Sequence, residues 1–70
     1  MKVGDLVRWK IGGVSTDLGL VIKRQIKEDF EDGPIFYTIY WSNDGFTTYA
    51  DERVNRFFIQ GTMEMLSESR

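Results

Sequence analysis

Alternating apolar and polar residues are the clearest pattern in this chain, and they predict β-strands. Near the start, Val7 and Trp9 fall on one side of an extended segment, and Arg8 and Lys10 fall on the other. Successive side chains of a strand point to opposite faces, so this spacing predicts a first strand with one wet face. This strand would be the first strand of a hairpin.

A second strand is predicted over residues 18–27, where β-branched residues dominate before a charged end. Gly19 inside this run predicts either a bulge or the close approach of another backbone. The paired glycines and small polar residues of 11–17 predict a flexible loop before it. Residues 28–34 combine four carboxylates with Gly-Pro, and they predict a solvated loop after it. The spacing in that acidic loop does not fit a calcium-binding loop.

The most structured stretch is a predicted hairpin of a strand over 35–42 and a strand over 46–50. Asn43-Asp44-Gly45 between them predicts a three-residue turn with the glycine in the left-handed conformation. That turn predicts a register with Trp41 opposite Thr47. Because a slip of one residue exchanges the two faces of a strand, the register decides which side chains are buried.

Under this register, one face of the hairpin and the following segment supplies the predicted core, which consists of Tyr37, Ile39, Trp41, Tyr49 and Val54. The other face supplies the predicted contact surface, which consists of Phe36, Tyr40 and Phe46 among Thr38, Thr48 and Ala50. A core this small cannot use every aromatic residue, so we expect some rings to reach the surface.

The end of the chain predicts less regular structure. Residues 51–55 suit a single 3₁₀ turn, and Arg56–Ile59 predict a short closing strand. This places one domain over residues 1–60. Residues 61–70 form a mainly polar tail, which we expect either to be flexible or to clip onto the domain or a partner.

Composition removes several classes of function. The 70 residues include no Cys and no His, so disulfides, the usual zinc ligands and the commonest catalytic base are missing. We therefore expect no enzyme, no metal site and no cofactor. No apolar run approaches the ~20 residues that span a bilayer, and the charged start is not typical of a signal peptide, so a cytoplasmic protein is expected. Small domains without disulfides or structural metal ions frequently self-associate, so we expect an oligomer.

Charge is unevenly distributed although the net value is only −2. Residues 1–27 carry six basic and two acidic side chains, whereas residues 28–52 carry seven acidic and no basic ones. Pairing between strands of the two segments would neutralise part of this asymmetry. Alternatively, the basic first hairpin could bind nucleic acid, with Trp9 stacking on a base. The candidates for that role are Arg8, Lys10, Lys23, Arg24 and Lys27. The acidic segment of residues 28–52 argues against nucleic-acid binding, because its negative charge repels the phosphates.

Four segments together resemble a known architecture: VGDLVR at the start, GLVIKR in the second strand, YTIYWSNDG in the hairpin and ADERVNRF before the predicted last strand. Over residues 3–59 the chain resembles the SH3-like small barrels, a group that includes Tudor and KOW domains, and in particular stand-alone barrels encoded by bacteriophages. The resemblance implies an all-β, five-stranded SH3-like barrel with a 3₁₀ turn before the last strand.

Members of that group bind peptides, methylated side chains or nucleic acid in an aromatic groove, so the resemblance implies a non-catalytic binding module. The protein-binding candidates in this chain are Phe36, Tyr40, Phe46, Phe30 and Trp9. A Tudor-type cage would also use a carboxylate such as Asp44. The expected partner is an unidentified protein or a second copy of the chain. Nucleic-acid binding and a structural role in a phage particle are the alternatives.

Overall fold

The computed structural model describes residues 1–26 and 35–67, which form one antiparallel sheet and one helix. The elements in chain order are β1 (Leu6–Ile11), β2 (Val14–Ile26), β3 (Ile35–Trp41), β4 (Gly45–Ala50), α1 (Asp51–Gln60) and β5 (Met63–Ser67). The strand order across the sheet is β4-β3-β2-β1-β5. The expected five-stranded, mainly β architecture is present, but β4 and β5 remain separate edges and the sheet is not closed.

The connection between β1 and β2 is much tighter than the sequence predicts. Ile11 pairs with Val14, so only Gly12 and Gly13 form the turn. Their φ angles of 58° and 82° are those of a two-residue hairpin turn, which glycine adopts without steric cost. The prediction of a flexible loop over 11–17 is therefore wrong, because β2 begins directly after the glycines.

β2 is shared between two hairpins. Its first half pairs with β1 as far as Leu20, and its second half pairs with β3 from Gly19 onward. The bulge in its pairing with β3 lies between Val21 and Lys23 and not at Gly19. The close approach predicted at Gly19 comes from side chains rather than backbone, because Trp41 packs over it.

The register of the β3–β4 hairpin differs from the predicted one by two residues. Trp41 pairs with Gly45 rather than Thr47, and Tyr40 pairs with Phe46. Gly45 has the predicted left-handed conformation, with φ of 76°. Because side chains alternate with a period of two, a shift of two residues leaves both faces unchanged.

The core lies on one face of the sheet, called here the inner face, and beneath α1. Its buried apolar residues are Val7, Val21, Tyr37, Ile39, Trp41, Val54 and Met63. Four of the five predicted core residues are therefore confirmed as buried. The fifth, Tyr49, is half-buried and packs against this cluster.

Residues 51–60 form an α-helix, so the predictions of a 3₁₀ turn and of a closing strand at Arg56–Ile59 are wrong. Val54, Phe57 and Phe58 recur at helical spacing and all pack in or against the core. The helix ends in a Schellman motif. There, Gly61 has φ of 76°, its N–H donates to the Phe58 carbonyl, and the Thr62 N–H donates to the Phe57 carbonyl.

The last strand comes from the segment interpreted as a polar tail. β5 pairs antiparallel with β1, with Val7 opposite Met65. Met63 is buried and fills the core beside α1. The backbone pairing of β5 covers the edge of β1, and Met63 and Met65 pack in or against the core.

Candidate functional site

The outer face of the sheet, opposite the core, carries a continuous line of apolar side chains. Leu6 on β1 pairs with Leu20 on β2, Leu20 pairs with Tyr40 on β3, and Tyr40 pairs with Phe46 on β4. We call Leu6, Leu20, Tyr40 and Phe46 the apolar row. It crosses four adjacent strands at one level, so a partner could contact all four side chains at once.

All four members of the apolar row are exposed. Phe46 is 68% exposed and Tyr40 is 46% exposed, and their ring centroids lie 5.0 Å apart. Leu18, which alternation places on the same face of β2, is also exposed. The solvent side of an antiparallel sheet is normally polar, so this contiguous apolar patch is the candidate contact surface.

Charged residues border the β1 end of the row. The Arg8 guanidinium donates two hydrogen bonds to the same carboxylate oxygen of Glu64, at 3.1 and 2.9 Å, and the Lys10 ammonium lies 3.5 Å from that oxygen. The hydrogen bond from Arg8 is the main reason that the pKa of Glu64 is lowered from its usual value. Among the described residues, two cations share one anion here, so this corner carries excess positive charge.

The structure separates the predicted protein-binding residues. Tyr40 and Phe46 stand together in the apolar row, and Phe36 is half-buried farther along β3 with the same alternation. Trp9 lies on the inner face and packs against the core. Phe30 lies outside the described residues. Of the predicted set, Tyr40 and Phe46 lie side by side on the exposed outer face, and sequence reasoning missed the leucines of β1 and β2.

A second concave feature lies between the turn of the first hairpin and β4. It is a cleft of about 330 Å³. We call it the aromatic cleft, and its lining residues are Trp9, Ile11, Thr16, Asp17, Trp41, Asn43, Asp44, Thr47 and Tyr49. Among the residues that the structure describes, three rings and two carboxylates line it, and no cationic residue does.

Edge-to-face ring contacts build the floor of the aromatic cleft. The Trp9 ring centroid lies 5.8 Å from that of Trp41 and 4.8 Å from that of Phe57, with the planes nearly perpendicular in both pairs. The Trp41 Nε1–H donates to the Tyr49 hydroxyl at 3.2 Å. Such pairs add packing energy beyond area burial, so the floor is a rigid extension of the core.

Asp17 fixes the rim of the cleft by joining β2 to the β3–β4 turn. Its Oδ1 atom accepts hydrogen bonds from the backbone N–H of Leu18 at 2.9 Å, from the N–H of Asn43 at 3.1 Å and from the Ser42 hydroxyl. The Asn43 side chain donates back to the Thr16 carbonyl at 3.1 Å. The partners in the bonds to Ser42 and Asn43 are 25 to 27 residues apart in the chain, so no local sequence signal shows the contact.

The basic residues of the nucleic-acid hypothesis do not form one patch among the described residues. Arg8 and Lys10 face Glu64 at the β1 end of the outer face. Lys23 and Arg24 are consecutive on β2, so they point to opposite sides. Lys27 and the acidic residues of 28–34 lie outside the described residues.

Within residues 1–26 and 35–67, no three Asp or Glu side chains lie close enough to bind a metal ion. In the same residues, the ten-residue α1 is too short to cross a membrane. No protein family, curated protein or solved structure matches this chain.

Proposed function

We propose that this chain is a non-catalytic protein-binding module and that the apolar row is its contact surface. The observation that carries the proposal is the alignment of four exposed apolar side chains across four strands. Burial of apolar area contributes roughly 25 cal/mol per Å², so covering two leucines and two rings favours association. Exposed aromatic side chains are also frequent anchors at protein interfaces.

We further propose that the open sheet is a variant of the SH3-like barrel. The support is the strand order β4-β3-β2-β1-β5 together with a helical segment directly before the last strand. A full helix stands where the resemblance implies a single 3₁₀ turn. The phage origin and a role in a phage particle stay predictions.

The aromatic cleft supports a second candidate function, the recognition of a cationic side chain. The half-buried rings of Trp9 and Tyr49 provide π faces, and Asp17 and Asp44 add negative charge without a cation to neutralise it in the lining. Cations bind aromatic faces in such settings with about 0.5–2 kcal/mol per contact. This is the chemistry that the Tudor resemblance implies.

Titration with trimethyl-lysine and with arginine, followed by tryptophan fluorescence, tests this second candidate. We expect saturable binding that weakens in the Asp44→Asn variant, because the carboxylate favours the cation. Norleucine, which has a similar stem and no side-chain charge, is the matched control ligand. Equal binding of norleucine would contradict cation recognition.

Site-specific photo-crosslinking tests the protein-binding proposal. A benzophenone amino acid is placed at position 46 or at position 20, and the chain is incubated with a lysate of the organism that encodes it. Ile59 is the control position, because it is 86% exposed and apolar but lies on α1. We expect a discrete crosslinked protein species from positions 46 and 20 and not from position 59.

Mass spectrometry then identifies the crosslinked species, which is either another protein or a second copy. The absence of any discrete adduct at positions 46 and 20 would contradict the proposal. Substitution of Tyr40 and Phe46 by Ser should remove an adduct formed at position 20 while circular dichroism stays unchanged, because both side chains are exposed.

A further inference from the structure

We propose that a second copy of this chain covers the apolar row, forming a symmetric dimer in which two outer faces pack against each other. This inference rests on the proposed protein-binding function and names its partner. The two-fold axis would run parallel to the strands through the middle of the row, between Leu20 and Tyr40. Three features carry it: the order of side chains in the row, the charges at its two ends and its area.

The order of side chains in the row lets two copies of the row fit together when one of them runs in the opposite direction. From β4 to β1, the row has two aromatic residues followed by two leucines. A two-fold axis along the strands reverses the row, so Phe46 lies over Leu6 of the partner subunit and Tyr40 lies over Leu20 of the partner subunit. Each contact then joins a flat ring to a branched aliphatic group. An axis along the row would instead place ring on ring and leucine on leucine.

The same axis brings opposite charges together at both ends. Arg8 and Lys10 share the single carboxylate of Glu64 at the β1 end. Asp44 is exposed in the turn between β3 and β4, at the opposite edge of the sheet. Asp44 also lines the aromatic cleft, so in the dimer its exposed side chain at the tip of the hairpin has to turn toward the outer face. In the dimer, Asp44 of each copy approaches the excess positive charge of the other, and complementary ends set the orientation.

The available area suits a weak dimer. Apolar side chains that are about half exposed, over the row and Leu18, present on the order of 500 Å² per copy, and specific interfaces begin near a total of about 1,000–1,200 Å². The largest apolar patch of a typical monomer reaches about 300–600 Å², so this patch lies at the upper end of that range. We therefore expect dissociation constants in the micromolar range.

Sedimentation velocity from 1 to 500 micromolar protein tests the dimer. The wild type should shift from monomer to dimer with concentration, and Phe46→Ser and Leu6→Ser should each raise the dissociation constant at least tenfold. Ile59→Ser is the matched control, since it removes an even more exposed apolar side chain from α1 and should leave the constant unchanged. Circular dichroism of each variant verifies the fold.

Reversal of single charges tests the proposed axis without changing the apolar row. Asp44→Lys and Lys10→Glu should each weaken the dimer, because each places like charges together at both ends. An equimolar mixture of the two variants should restore dimer formation, since every end contact in the mixed dimer again joins opposite charges. Failure of the mixture to exceed both separate variants would overturn the proposed axis.

A wild-type monomer throughout the concentration range would overturn the dimer. If position 46 then crosslinks to another protein, the protein-binding function remains and only the identity of the partner is wrong. If position 46 gives no adduct with any protein, the proposed function is wrong as well. An adduct joining two copies at position 46, together with concentration-dependent dimerisation, would support both proposals.

Discussion

Gly19 and Trp41 face each other across β2 and β3, and the Trp41 ring covers the glycine so closely that a side chain has no room there. A Cβ atom at position 19 would lie 2.7 Å from two carbons of that ring and from Ile39 Cγ2. Ile39 and Trp41 are both buried, so neither can move without disturbing the core.

We predict that Gly19→Ala lowers the free energy of unfolding by about 1–3 kcal/mol, the usual cost of overpacking a buried site. Urea unfolding followed by tryptophan fluorescence measures it. Ser15→Ala on the exposed part of β2 is the control and should change stability by no more than about 0.5 kcal/mol. A neutral Gly19→Ala variant would contradict the close contact.

Asp17 should matter more than its polarity suggests, because it is only 9% exposed and accepts three hydrogen bonds through one oxygen. We predict that Asp17→Ala costs about 1–3 kcal/mol, because three partly buried hydrogen bonds lose their acceptor. Amide hydrogen exchange should also speed up at Asn43. Asp44→Ala removes an exposed carboxylate from the same turn, and as the control it should leave both quantities nearly unchanged.

The ion pair between Arg8 and Glu64 predicts a pH dependence of stability. The folded-state pKa of Glu64 is lowered from its usual value of 4.5, mainly by the hydrogen bond from Arg8. Its contribution is therefore fully present above pH 4.5 and is lost as the pH falls through the lowered folded-state pKa. Urea unfolding at pH 7 and pH 3 should show a smaller difference for Glu64→Gln than for the wild type. An unchanged difference would contradict the prediction.

Substitution of Gly45 should lower stability through backbone strain and not through steric clashes with neighbouring atoms. Its φ is 76°, yet a Cβ atom there would meet no other atom within 4 Å. We predict that Gly45→Ala lowers stability by about 1–2 kcal/mol, because L-residues rarely adopt this conformation. Gly45→Asn should cost less, since Asn tolerates the left-handed region. Equal costs in urea unfolding would show that strain is not the cause.

Alternation alone predicted much of the sheet. The faces of β3 were assigned correctly because Tyr37, Ile39 and Trp41 share one parity, which survives a two-residue error in register. The turn at Gly12 and Gly13 was harder to assign, since paired glycines suit both a flexible loop and a tight hairpin.

The helix was missed although its signals were present. Asp51 and Glu52 favour the first turn, and Gly61 follows the last. The short apolar run Phe57-Phe58-Ile59 is also typical of a buried strand. Over so few residues, periodicity cannot distinguish a buried strand from a buried part of a helix. Because these residues belong to α1, the last strand is formed by the later segment Met63–Ser67.

The candidate sites depend on contacts between distant parts of the chain. The apolar row requires the pairing of four strands, and the local sequence around Leu6 and Leu20 does not show that these residues lie in line with Tyr40 and Phe46. The aromatic cleft requires Asp17 to meet Asn43, 26 residues later. Such contacts follow from topology, which local patterns do not specify.

The pairing of β1 with β5 has a consequence for how the chain acquires its fold during synthesis. Arg8 and Glu64 lie 56 residues apart, so β1 cannot complete its pairing until the segment through Ser67 has left the ribosome. Closing so long a loop carries an entropic cost and slows folding. Until then, the free edge of β1 and the space that Met63 fills remain open to other chains. The nascent protein is therefore most exposed to mispairing just before its last strand arrives.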